Sequence, residues 1–223
     1  MLLYFDSLIT DVPLPGRARK YLKEDIRKNC PAYTMPLRLE IAKYVLASYS
    51  IYPWSNVLIK YELEDKNKVE EVDEYIKKIF PKAIIIHQRS DSQKDYKESL
   101  KILKEMKDPW IFYSPNNDHP IISSDRNIKN YLDKLILTAD KWKTRYENVS
   151  IMYSHFSEFL NIPVTDNPQH FLYGRDSVLL EDGRDCRVYL RPNGDFSSVQ
   201  ITHIDLMSKW FSSASLRKKR VIR

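Results

Sequence analysis

The chemistry-bearing side chains of this sequence gather in short polar segments that directly follow apolar ones. LLYFDSLI runs on to Asp11, SNVLIKYEL ends in Glu62 to Asp65, KAIIIHQ leads to Arg89, Ser90, Asp91 and Lys94, and DPWIFYSP leads to Asn116, Asn117, Asp118 and His119. Carboxylates, amides, a guanidinium and an ammonium in such places suit a polar ligand, because charge-assisted hydrogen bonds are the strong ones. More acids cluster in YGRDSVLLEDGRD, and His203 stands in ITHIDLM. Glycine restricts how a phosphate could be held. Only Gly16, Gly174, Gly183 and Gly194 occur, so neither the Gly-rich turn of a dinucleotide-binding unit nor the GxxxxGK[ST] loop of a P-loop NTPase is present. Phosphate binding would fall to side chains and a metal ion. The two cysteines, Cys30 and Cys186, have no Cys or His partner at zinc spacing, which supports neither a structural zinc nor a disulfide framework.

The elements that must position these residues are legible from periodicity. The 223 residues, 43% hydrophobic, are enough for one large domain with a core. LLYFDSLI reads as a strand. PLRLEIAKYVLASYS places Leu39, Ala42, Tyr44, Val45, Leu46 and Tyr49 at helical spacing, with Pro36 where a first turn tolerates it. SNVLIKYEL is a second strand, and KVEEVDEYIKKIF a helix with Val69, Val72, Ile76 and Ile79 inward. KAIIIHQ has the continuous β-branched character of a fully buried parallel strand, DYKESLKILKEM is amphipathic, and DPWIFYSP is a fourth strand. Four strand-helix steps in series predict an α/β doubly wound, mostly parallel sheet with right-handed crossovers and helices on both faces. Ligands of such sheets sit beyond the carboxyl ends of the strands, where the polar segments lie. In the second half, NIKNYLDKLILTADKWKTRY reads as a helix, with Ile128, Tyr131, Leu132, Leu135 and Ile136 on one side, and NVSIMYSHF as a strand. Residues 163–200 read as loops and a β-hairpin: Asp182-Gly183 between DSVLL and CRVYL is a hairpin signal, and PNGD at 192–195 a second turn. HIDLMSKWFSSASLRK closes as a helix that packs through Leu206, Trp210 and Phe211.

This order of elements, with an apolar fourth strand running into WIFYSPNNDHP, resembles the nucleotide-binding half of GT-A glycosyltransferases, especially the inverting family 2 group. The resemblance covers roughly residues 1–125, the nucleotide-binding half, and leaves 126–223 as the acceptor side of a single domain. It implies transfer of a sugar from a nucleoside-diphosphate sugar to a glycan, lipid-linked or protein-linked hydroxyl, assisted by Mn²⁺ or Mg²⁺. In that family a DxD-type motif ends the strand and its last aspartate holds the metal. Here Asn116, Asn117 and Asp118 occupy the three places and only the last acid is kept. The resemblance makes Asp118 the metal ligand and His203, late in the domain, a second one. It puts Asp11, Glu62, Arg89 and Lys94 around the nucleotide, where the family usually has an aspartate in place of Glu62. The pair Glu181 and Asp182 matches the family's acidic pair, with Asp182 the proton acceptor and Asp176, Asp185 and Asp205 its rivals. Ordinary structural roles compete at each place: a turn before Pro120 for Asp118, a strand-end or core histidine for His203, helix-entry solvation for Arg89 and Lys94, a hairpin corner for Asp182.

A net charge of +6 also suits a nucleic-acid binder or a protein with peripheral membrane contact. The 15 tyrosines are scattered, however, and no RNP, KH, zinc-finger or recognition-helix pattern occurs, so nucleic acid is not the expected partner. A catalytically inactive GT-A-like scaffold is the other alternative, since losing the first aspartate of the metal motif is the change that would produce one. The sequence carries neither a signal-peptide pattern nor a run of about 20 apolar residues, and the expected setting is the reducing cytoplasm. The ending LRKKRVIR, with neither a cap nor an apolar anchor, is what a cut through a longer protein would leave.

Overall fold

The computed structural model describes residues 1–9, 35–63, 65–87, 92–114, 120–121, 128–145, 151–152, 178–182, 187–190 and 200–212. β1 (Leu2–Ile9), α1 (Met35–Tyr49), β2 (Val57–Leu63), α2 (Val69–Ile79), β3 (Ile84–His87), α3 (Ser92–Glu105) and β4 (Trp110–Ser114) alternate as the hydrophobic pattern requires. They are followed by α4 (Ile128–Arg145), β5 (Ile151–Met152), β6 (Val178–Asp182), β7 (Arg187–Leu190), β8 (Gln200–His203) and α5 (Ile204–Ser212). β6 and β7 pair antiparallel as a separate hairpin, the one signalled by Asp182-Gly183.

The other six strands form one sheet in the order β3-β2-β1-β4-β8-β5. β1 to β4 are mutually parallel, and β8 runs antiparallel to both β4 and β5, so β5 has the direction of the parallel set. The expected α/β architecture, a doubly wound and mostly parallel sheet, is the one found, with one feature that periodicity does not single out. QITH of β8 falls between a stretch read as loops and the start of the final helix, yet it is the strand that joins the two halves of the sequence into one sheet.

Strand alternation sorts the side chains into two cores. On one face Leu3, Phe5 and Ile9, with Ile59, Tyr61, Phe112 and Ile201, pack against Leu39 and Val45 of α1, Val72 and Ile76 of α2, and Leu132 and Leu135 of α4. On the other, Leu2, Tyr4, Leu58, Ile111 and Tyr113 meet Leu100 and Leu103 of α3 and Met207 and Phe211 of α5. Helices therefore cover both faces. Two expectations are corrected. Tyr44 is exposed, because the buried stripe of α1 follows Leu39, Ala42, Leu46 and Tyr49, and a residue five positions after Leu39 lies about 140° round the helix. β3 is an edge strand rather than a fully buried one: Ile86 is buried, while Ile84 and His87 are exposed. Among the described residues no helix is long and apolar enough to cross a membrane.

The two cores make a stability prediction. Leu3, fully buried on the central strand β1, should cost about 2–5 kcal/mol when truncated to alanine, through lost transfer energy and an unfilled cavity. Leu137, 69% exposed on α4, should cost no more than about 0.5 kcal/mol. Urea unfolding of Leu3→Ala and Leu137→Ala checks this, and equal losses would contradict the burial pattern.

Candidate functional site

The strand order reverses between β1 and β4, since the chain builds outward through β2 and β3 and then returns to the other side of β1. In doubly wound sheets a crevice opens at that point, beyond the carboxyl ends of the strands. The register gives it a step. β4 pairs with β1 only as far as Ser114, opposite Phe5, whereas β1 continues beside β2 to Ile9, opposite Leu63. Among the described residues, Asp6 to Ile9 are thus paired on the β2 side alone. The last residues of β1 and β4, Ile9 and Ser114, which in sequence precede Asp11 and Asn116–Asp118, belong to neighbouring strands at this step.

Several side chains are fixed at the same edge. Ser7 is buried, and among the described residues its hydroxyl finds no hydrogen-bond partner. Ser114 Oγ lies 2.9 Å from Tyr49 Oη, which α1 delivers under the edge. Glu62, half-buried, pairs in register with Leu8. At the ends of β2 and β3, Asp73 of α2 accepts a 2.7 Å bond from the Tyr61 hydroxyl, and its two oxygens lie 3.1 Å from His87 Nε2. The ring of His87 stands edge-on to Tyr61, and burial followed by the Asp73 bond raises the Tyr61 hydroxyl well above the ordinary phenol range. Among the described residues this His-Asp pair is the one imidazole oriented by a carboxylate at the carboxyl edge.

At the foot of the step, on the α3 side, lies a buried ion pair. Lys60 of β2 is fully buried, and its ammonium is 3.2 Å and 3.3 Å from the two oxygens of its register partner Asp6. The Tyr4 hydroxyl donates to Asp6 at 3.4 Å, and the face of Tyr96, on α3, lies 3.7 Å from the ammonium. Burial, then the charge of Asp6, pushes the Tyr4 hydroxyl well above its usual range. The sequence reading passed over this group, although a lone Lys in VLIKYEL and a lone Asp in LLYFDSLI, one inside each apolar strand, are its signal.

The structure brings some of the sequence candidates together and separates others. Glu62 lies on the edge. Lys94 lies in the first turn of α3, the helix that starts there, while Asp11, Arg89, Asn116, Asn117 and Asp118 lie outside the described residues. Glu181 and Asp182 end strand β6 of the separate hairpin, with Asp182 opposite Arg187, and no strand pairing links them to the six-stranded sheet. The rival acids Asp176 and Asp185 lie outside the described residues.

His203 stands at the amino end of β4, away from the crevice at its carboxyl end. It is the register partner of Trp110, the first residue of β4, four strand residues or about 13 Å from Ser114. Its role there is local: Nδ1 accepts the Asp205 amide at 3.2 Å, capping α5, and the ring packs edge-on against Trp110. Burial, then the Lys143 cation, holds its pKa below the ordinary 6.5. Asp205 is exposed at the same end and pairs with Lys143 at 3.3 Å, which removes it as a proton acceptor at the crevice. Among the described residues no three His, Cys, Asp or Glu side chains converge as a metal site.

No protein family matches the sequence, and no curated protein does. Among solved structures, the chain is similar to a cytidylyltransferase from Leptospira borgpetersenii serovar Hardjo-bovis, with 14% identity and a TM-score of 0.42. The likeness covers 95% of this chain and 63% of that one, so the chain spans less than two thirds of that protein's length.

The capping role of His203 predicts a pH dependence. A histidine whose pKa is lowered by folding is neutral in the native state, so the unfolded chain binds the proton first and stability is lost as pH falls through 6.5 toward the folded value. Above 6.5 the contribution is constant. His203→Gln should therefore show a flatter fall in melting temperature between pH 7.5 and pH 5 than the parent, and parallel curves would show that His203 does not titrate this way.

Proposed function

We propose that this chain is a nucleotide-using transferase and, more narrowly, a GT-A-like glycosyltransferase that moves a sugar from a nucleoside-diphosphate sugar to a hydroxyl acceptor. The observation that supports it most is the reversal of strand order between β1 and β4, which sets side by side at one stepped edge the carboxyl ends of the two strands that precede Asp11 and Asn116–Asp118 in sequence. Glu62 and the start of α3, with Lys94, belong to the same edge, so a nucleotide lying along it would meet acids near β1, β2 and β4 and cations near β3 and α3.

Asp118 would hold Mn²⁺ or Mg²⁺. With one carboxylate in the tripeptide and no cluster of ligands among the described residues, the donor set fits a hard cation that takes one or two protein carboxylates and completes its shell with diphosphate oxygens and water. When bound, such a cation neutralises the charge that develops on the departing diphosphate. Arg89 and Lys94 would bind phosphate oxygens from the α3 side, Arg89 as a planar fork. Asp182, with Glu181 beside it, would take the proton of the acceptor hydroxyl as a general base. The Asp182 role requires the β6–β7 hairpin to face the crevice across the acceptor.

Titration with UDP-, GDP- and dTDP-sugars, with and without Mn²⁺, tests the reading. An enzyme binds and turns over, an inactive scaffold binds without turnover, and a nucleic-acid module does neither. Within it, Asp118→Ala should abolish the Mn²⁺-dependent part of donor binding measured by calorimetry, since no neighbour can substitute, and an unchanged affinity would remove Asp118 from the site. Asp182→Asn keeps shape but loses the base, so donor affinity should persist while turnover falls by about two to four orders of magnitude. Transfer at the parent rate would leave Asp182 as a hairpin residue only and move attention to Asp176.

A further inference from the structure

The buried Lys60 has a geometry that stability alone does not explain. Replacing a buried ion pair by well-packed apolar side chains is often neutral or stabilising, because the Coulombic gain is offset by desolvation. The same face of the sheet accommodates Leu2, Leu58 and Ile111 as fully buried neighbours, so an apolar pair would fit the chemistry of this core. What the ammonium adds is direction. It is held on β1 by both oxygens of Asp6 and meets the face of Tyr96 at 3.7 Å, a contact that weakens when the ring moves off the cation.

Tyr96 is four residues after Ser92, the first residue of α3. Its ring is bounded on another side by Phe211 of α5, with centroids 4.8 Å apart. Phe211 in turn stands edge-on to Tyr4, whose ring stacks on Tyr113 of β4 at 5.2 Å. The start of α3 is therefore pinned between a cation fixed to β1 and β2 and an aromatic group that reaches β4, the two strands of the switch point included.

From this we infer that Lys60 is a positioning residue: through Asp6 and Tyr96 it sets where α3 begins at the carboxyl edge, and thereby the position of that helix relative to a nucleoside diphosphate bound there. The consequence for nucleotide rests on the function proposed above; the pinning of α3 does not.

The experiment pairs an apolar replacement with a conservative one. Lys60→Met combined with Asp6→Val removes both charges together, and Lys60→Arg keeps a cation on the Tyr96 face. Amide hydrogen exchange is followed in α3 at Tyr96 to Ser99 and, as an internal reference, in α1 at Val45 and Leu46. Binding of UDP and GDP with Mn²⁺ is titrated on the same samples. The charge-free variant should keep α1 protection, exchange at least tenfold faster at the start of α3, and bind nucleotide at least tenfold more weakly. Lys60→Arg should restore both readouts, which a loss of packing volume alone would not predict. Unchanged exchange in α3 overturns the inference, and loosened α3 with unchanged affinity overturns its bearing on nucleotide. If the double variant fails to fold, Tyr96→Leu removes only the ring face and answers the same exchange comparison. A parent protein that binds neither nucleotide defeats the proposed function, while the exchange result still decides the role of Lys60.

Discussion

The parallel pairing of β1 with both β2 and β4 is the constraint on which the rest of the structure depends. β1 is buried on both faces, and its residues feed both cores: Leu3, Phe5 and Ile9 to one side, Leu2 and Tyr4 to the other. Because its pairing with β4 stops at Ser114 while its pairing with β2 runs to Ile9, the edge of the sheet is stepped where the strand order reverses. A flush edge would give a ligand only strand ends. The step adds one side of the β1 backbone, whose amides and carbonyls are strong hydrogen-bonding groups.

Helices are tied to this sheet by more than apolar contact. On the α1 side, aspartates of the covering helices accept bonds from rings beneath them: Asp73 of α2 from Tyr61, Asp133 of α4 from Tyr52 at 2.7 Å, and Asp140 of α4 from the Trp110 indole at 2.6 Å. Each ring buries its apolar body and gives its polar tip to a carboxylate at the boundary with solvent, which satisfies a donor that would be costly to bury alone. Tyr52 and Tyr61 both have hydroxyls pushed well above the ordinary phenol range, first by burial and then by these aspartates, which suits them to act as neutral donors. On the α3 side the corresponding tie is the buried Lys60, where charge replaces the half-exposed carboxylate.

The sequence by itself determined the alternation of strands and helices in residues 1–114 and the presence of a hairpin built from the β-rich stretches on either side of Gly183, because those features are local. A period of two or 3.6 follows from backbone geometry and needs no partner elsewhere in the chain. It also determined that polar residues follow each strand, and with them the candidate edge. The tertiary structure alone decided which strands are neighbours. Only pairing made KAIIIHQ an edge strand, inserted Gln200–His203 antiparallel beside β4, and put His203 at the opposite end of β4 from Ser114, because a histidine after a strand looks the same in sequence whichever way that strand runs. Only pairing, too, brought Asp6 against Lys60 and His87 against Asp73. Such contacts join residues 54 and 14 positions apart, and their energy comes from register and burial that no local pattern encodes.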